Sequence, residues 1–319
     1  MTTRALLPPL PRVAPALILA ALAALSSASG ASGAAPPDKP SAPAPAPAPA
    51  AATPARRPWS EADPRVAADL RAGRPLVIFV VVPLCDGALI DCGSRPAGRP
   101  GDLGTNLYWG AIFGQRRFFD RKASGWEQVE VSAAAAAGAG TGPLLERVVY
   151  RRTTAGEPWG SGAPVEQILV FQAVHGAAID QAVSLFWSTA LRGGEVRFRD
   201  GDRERAERIH VAGYAGHNRM LDRSAAPLPT IEPTAPVPSF VIACDSASTF
   251  TAPLRRAGSA PLVMTRALVA PEGYVIDTLA RALGENASRA VLQDRVIETY
   301  ARWQRIPTPA ARRVFAPAR

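Results

Sequence analysis

The chain has 319 residues, 47% of them hydrophobic, and a formal net charge of +9. That length allows one large domain or two small ones. The positive charge is almost all arginine, since Lys39 and Lys122 are the only lysines, and the run Arg192 to Arg208 is interleaved with Glu195, Asp200, Asp202, Glu204 and Glu207. Such a run reads as a solvated, internally compensated loop. A nucleic-acid site needs basic residues on one face with aromatics between them, so this pattern argues against one.

Arg4 and Arg12 form a basic start, Val13 to Leu25 is apolar, and small residues follow from Ser26 to Ala31. This is the pattern of a cleaved secretory signal over 1–34 and predicts an exported, periplasmic or extracellular protein. The apolar stretch falls short of the roughly 20 residues of a membrane span, and no later segment is long and uncharged enough to be one. Residues 35–57 are mostly Ala and Pro, alternating strictly from Ala42 to Ala50, which predicts an extended spacer without a core. Residues 58–319 then form a single domain.

Leu76 to Val82 is a continuous apolar, β-branched run and predicts a central strand buried on both faces. Leu107 to Arg121 has roughly helical apolar spacing, interrupted by Gly110 and Gly114. Trp126–Val131, Leu144–Arg151 and Gln167–Val174 read as strands, and 177–191 as an amphipathic helix with Ile179, Val183, Phe186, Trp187 and Ala190 on one side. Ile209–Ala215 and Ser239–Ala243 read as strands ending at His217 and Cys244. A helix over 248–257, a strand over 261–265 and helices over 272–283 and 288–303 complete the pattern. Strands alternating with helices predict an α/β three-layer sandwich with a mostly parallel sheet.

Parallel strands present their C-terminal ends to a common crevice. His217 and Cys244 therefore form a candidate dyad: Cys244 as nucleophile, His217 as the base that takes its proton and returns it to the leaving amine. Backbone amides near Gly216 to Asn218 and at Cys244 are the expected oxyanion donors. A buried cysteine is also a common end to a core strand, and the bland reading of Cys244 is packing. Asp86, Asp91, Asp222 and Asp245 lie beside strand ends or in the loops that follow them, where an acid orients the imidazole, recognises a basic substrate side chain or simply caps a turn. His175 is a reserve base, and His210, inside an apolar strand, reads as structural. Tyr108 and Trp109 read as packing.

Three cysteines permit one intramolecular bridge. Cys85 with Cys92 closes a small loop and leaves Cys244 free, whereas Cys85 with Cys244 removes the nucleophile. Zinc binding by Cys85, Cys92, Cys244 and His217 fits no finger spacing. The chain has no Gly-x-Ser-x-Gly elbow, phosphate-cradling loop or dinucleotide fingerprint, so serine-hydrolase and nucleotide chemistry are disfavoured and no cofactor is expected.

A hydrophobic block ending in His217, a spacer and a second block ending in Ala243-Cys244 resembles the signature of the caspase, gingipain and legumain superfamily of cysteine peptidases. The likeness implies a helix-flanked, largely parallel sheet and a peptide or protein substrate. Where those families place Gly after the His, this chain has Asn218, with Gly216 before it. The blocks Leu84-Cys85-Asp86, Asn106 to Gly110, Gly216-His217-Asn218 with Met220-Leu221-Asp222, Ala243 to Ser246 and Ala270 to Tyr274 are also similar to segments of a bacterial family without an assigned activity. That second likeness implies that the Cys85 loop, the Trp109 segment and the dyad share one site. Two functions follow as expectations: a secreted cysteine peptidase-like hydrolase, or a non-catalytic envelope or surface binding module of the same fold.

Overall fold

The structure, a computed structural model, describes residues 57–133 and 143–318. The predicted signal and all of the Ala/Pro spacer but Arg57 lie outside the described residues. Strand β1 (Leu76–Pro83) is buried at every position, as its unbroken apolar run requires, and it organises the fold. After α1 (Pro64–Arg71) and β1 come α2 (Gln115–Phe119), β2 (Glu127–Ala133), β3 (Leu144–Thr154), β4 (Val165–Val174), α3 (Ile179–Arg192), β5 (Glu195–Asp200), β6 (Arg203–Arg208) and β7 (Val211–Ala215). The chain closes with β8 (Ser239–Ile242), α4 (Ser246–Arg256), β9 (Pro261–Met264), α5 (Gly273–Gly284), α6 (Arg289–Gln304) and α7 (Thr308–Arg312).

Seven strands form one sheet in the order β2-β3-β4-β1-β7-β8-β9. β1 pairs in parallel with β4 and with β7, and β7 with β8 and β8 with β9 are parallel, while β2–β3 and β3–β4 are antiparallel. The expected mostly parallel α/β sheet is thus present, with an antiparallel extension at one side. Renumbered by chain order, the five parallel strands run 2-1-3-4-5, a doubly wound order whose crevice opens where the order reverses, between the C-terminal ends of β1 and β7. That reversal sets the position of the candidate site.

Two apolar cores flank the sheet. On one face Ile78, Val80, Val82, Phe240 and Ile242 pack with Val66 and Leu70 of α1, Val275, Ile276 and Leu279 of α5, and Leu292 and Val296 of α6. On the other, Val77, Val81, Tyr214 and Val241 pack with Ala182, Val183 and Phe186 of α3 and Phe250 and Leu254 of α4. The buried side of α3 is the one its spacing predicts, and a glycine with positive φ, Gly193, follows its last residue.

Three segments depart from expectation. Only Gln115–Phe119 of the predicted 107–121 helix is helical. A Cβ on Gly114 would lie 2.5 Å from the Trp109 carbonyl oxygen, and one on Gly110 would collide with the Leu103 and Gly104 carbonyls, so 107–114 is tight turns. The run 192–208 is a β5–β6 hairpin, because Val196 and Phe198 alternate with polar residues and are buried. Its charges are internally compensated, with Arg205 bonded to Glu166, Asp200 and Glu207. Helix α1 was not foreseen, although Asp63 caps it, accepting from the Arg65 amide at 3.1 Å, with Pro64 at its first position.

Candidate active site

β7 delivers His217 and β8 delivers Cys244. Ala215 is the register partner of Ile242, and the two segments leave the sheet side by side, the Gly216 amide donating to the Ile242 carbonyl at 3.2 Å. Gly216 is required there for close approach, since a Cβ would lie 2.7 Å from Pro83 Cγ at the end of β1. The Asn218 amide then joins the two loops, donating to the Cys244 carbonyl at 2.7 Å and to Thr249 Oγ1 at 3.1 Å.

The imidazole is held by Asp222. His217 Nε2 lies 3.0 and 2.9 Å from the two carboxylate oxygens, so Nε2 donates to the carboxylate, while Nδ1 has no hydrogen-bond partner among the described residues. Arg219 donates to the same carboxylate at 3.0 Å and to Asp180 at 2.9 Å. Burial acts to raise the Asp222 pKa, but the bonds from His217 and Arg219 outweigh it and keep the carboxyl below its ordinary value. The His217 carbonyl accepts from the buried Tyr214 hydroxyl at 2.8 Å, which fixes the loop from below.

Cys244 is a free, partly exposed thiol. Its sulfur makes a weak contact to the Val269 carbonyl at 3.9 Å, and among the described residues no hydrogen bond joins it to His217. Asp245, at φ +44°, turns the chain from β8 into α4, a left-handed conformation that Asp tolerates better than most residues. The Asp245 carboxylate accepts from Ser248 Oγ at 2.8 Å and does not orient the histidine.

The expected oxyanion donors are in part already bonded. Of that set the Gly216 amide is bonded, donating to the Ile242 carbonyl at 3.2 Å; beyond it, the Asp245 amide donates to Ala267 at 3.1 Å and the Ala247 amide to Thr265 at 2.8 Å. Gly216 is therefore a packing residue rather than an oxyanion donor, and the Asn218 side chain is a brace between loops.

The wider set predicted to share the site divides. Cys85 is disulfide-bonded to Cys92 and buried, so it cannot contact substrate; this pairing leaves Cys244 as the free thiol. Asp86 accepts from the Ala88 amide at 2.9 Å and shapes a turn. Trp109 has no exposed surface, and its indole donates to Glu146 Oε2 at 2.9 Å, so it packs in the core. Of the two remaining histidines, His175 Nδ1 accepts from the Ala177 amide and His210 Nδ1 from the Val77 amide at 3.0 Å, both structural. Among the described residues no group of three or more His, Cys, Asp or Glu is placed to hold a metal ion, and no helix is long and apolar enough to cross a membrane.

Two tyrosines absent from the predicted site lie within electrostatic reach of the thiol. Burial raises the Tyr108 and Tyr300 hydroxyls above the usual phenol value, and negative charge on Cys244 raises both further. Tyr108 comes from the loop after β1, where Asn106 clasps the Cys85 amide and carbonyl at 2.9 and 2.8 Å. A single tyrosine among packing aromatics carried no sequence signal for this placement. A cavity of about 480 Å³ follows the disulfide loop and one of about 210 Å³ lies between α4 and α6. Neither is lined by Cys244 or His217. Comparison of the chain with family models, with curated proteins and with solved structures returns no match.

Proposed function

We propose that this chain is a cysteine hydrolase of caspase-like architecture acting on peptide bonds, with Cys244 as nucleophile, His217 as base and Asp222 as the residue that orients the imidazole. The observation that carries the reading is the meeting of the loops after two adjacent parallel strands, with Asn218 bonded to the Cys244 carbonyl at 2.7 Å and the neighbouring His217 ring held by the Asp222 carboxylate at 2.9 Å. Thiolates attack carbonyl carbon, and a base held in one tautomer by an acid is the arrangement that generates them.

The alternative is a binding module that retains the architecture without turnover. It is favoured by the bonded state of the Gly216 amide and by the lack of a Cys244–His217 hydrogen bond among the described residues, although such contacts often tighten only with substrate. A peptide library incubated with the folded chain separates the two. Cleavage abolished by Cys244→Ala supports the hydrolase; identical product patterns from both proteins, or none from either, favour the module.

A further inference from the structure

We propose that the Glu272 carboxylate selects a basic side chain, arginine above all, in the peptide presented to Cys244. This inference rests on the hydrolase reading and names the substrate class of the same site. The acids beside the strand ends are engaged elsewhere: Asp222 holds His217, Asp245 accepts from Ser248, and Asp86 and Asp91 accept from the Ala88 and Gly93 amides in turns. A negative charge for a basic substrate has to come from another element.

Hydrogen bonds bring the segment that carries Glu272 to the thiol. The Asp245 amide donates to the Ala267 carbonyl at 3.1 Å and the Cys244 sulfur lies 3.9 Å from the Val269 carbonyl, so the chain after β9 runs along the nucleophile. Glu272 follows Val269 by three residues, at most about 11 Å of extended chain. A tight turn shortens that span, the Glu272 amide donating to the Ala270 carbonyl at 2.9 Å. The Ala270 amide donates to the Tyr300 hydroxyl at 3.4 Å, which fixes the turn on α6.

The carboxylate lacks a cation. Glu272 stands at the N-cap position of α5 yet makes no side-chain capping bond, and it forms no ion pair among the described residues. Its Oε2 accepts instead from Gln304 Nε2 at 3.0 Å, and the same amide reaches the Tyr274 hydroxyl at 2.7 Å. Burial raises the Glu272 pKa although bonds from Tyr274 and Gln304 favour the anion, as expected of a partly desolvated charge without a counter-ion. Beside it, Tyr274 stacks on Trp303 with ring centroids 5.2 Å apart and planes at 10°, and Trp303 is 41% exposed. An anion next to an exposed indole suits a guanidinium, which pairs with the one and stacks on the other; an ammonium gains less from the ring.

N-Acetyl-arginine methyl ester and N-acetyl-citrulline methyl ester have nearly the same shape and differ in charge, so the ratio of their hydrolysis rates reads the cation alone. p-Nitrophenyl acetate, which acylates Cys244 and carries no side chain, reports the dyad. The wild type should turn over the arginine ester at least about tenfold faster than the citrulline ester, the low end for a close, partly desolvated charge pair. In Glu272→Gln, which keeps an acceptor for Gln304, the ratio should fall to within about twofold of unity while acylation by p-nitrophenyl acetate stays near wild type. A wild-type ratio near one, which needs no variant to read, or a ratio unchanged in Glu272→Gln overturns the role of Glu272 and leaves the hydrolase reading standing. Wild-type acylation by p-nitrophenyl acetate no faster than that of a free model thiol overturns both.

Discussion

The side-chain amide of Asn218 donates to the Cys244 carbonyl at 2.7 Å, joining the residue after the candidate base to the candidate nucleophile. Asn218 is fully buried and also bonds Thr249 in the first turns of α4. Asn218→Ala strands a buried carbonyl and should cost about 1–3 kcal/mol, read as a lower urea midpoint with an unchanged slope. A midpoint equal to wild type would show that the brace contributes nothing.

Asp222→Asn keeps the size of the side chain but offers the imidazole an amide, which can hold the wrong tautomer. Acylation of Cys244 by p-nitrophenyl acetate should slow by roughly 10²-fold or more while the circular dichroism spectrum is retained. An unchanged rate would remove Asp222 from the site.

His210 supplies a pH dependence of stability. Burial is the main cause that lowers its pKa, with Arg208 adding to it and Asp69 and Asp63 opposing, and Nδ1 must stay unprotonated to accept from Val77. A histidine with a depressed folded pKa stabilises fully above its unfolded value of about 6.5 and loses that contribution as pH falls toward the folded value. The urea midpoint should decline from pH 7 to pH 5, and His210→Asn should be less stable at pH 7 with a flatter profile. Parallel profiles for the two proteins would contradict this assignment.

The Cys85–Cys92 bridge closes a short loop against the end of β1. Cys85→Ser with Cys92→Ser should destabilise the fold by about 2.5 kcal/mol on the loop-entropy estimate, measured by chemical denaturation. In the native wild type, mass spectrometry after alkylation should find label on Cys244 alone. Label on Cys85 or Cys92 would contradict the pairing.

The sheet was legible because β1, β4, β7 and β8 are built from apolar runs that only burial on both faces explains. The 107–121 helix misled because Leu107, Tyr108, Phe118 and Phe119 follow helical spacing while Gly110 and Gly114 serve close backbone approach. The β5–β6 hairpin was hidden by its charges, whose alternation with Val196 and Phe198 carried the strand signal. At the candidate site, the adjacency of the His217 and Cys244 loops was legible from the strand ends, while which of the flanking acids meets the imidazole, Asp222, was not. The choice between Cys92 and Cys244 as the partner of Cys85 stayed open, since it depends on how the loop after β1 folds back over the sheet, a tertiary event held by Asn106 on the Cys85 backbone rather than by any local period.

The most direct test of the central claim is the rate at which iodoacetamide alkylates Cys244 at pH 7 in the wild type and in His217→Gln, against glutathione as the free-thiol standard. A thiol served by a base held on Asp222 should react at least tenfold faster than the standard and fall to it when the imidazole is replaced. Reaction at the standard rate in both proteins would contradict the dyad.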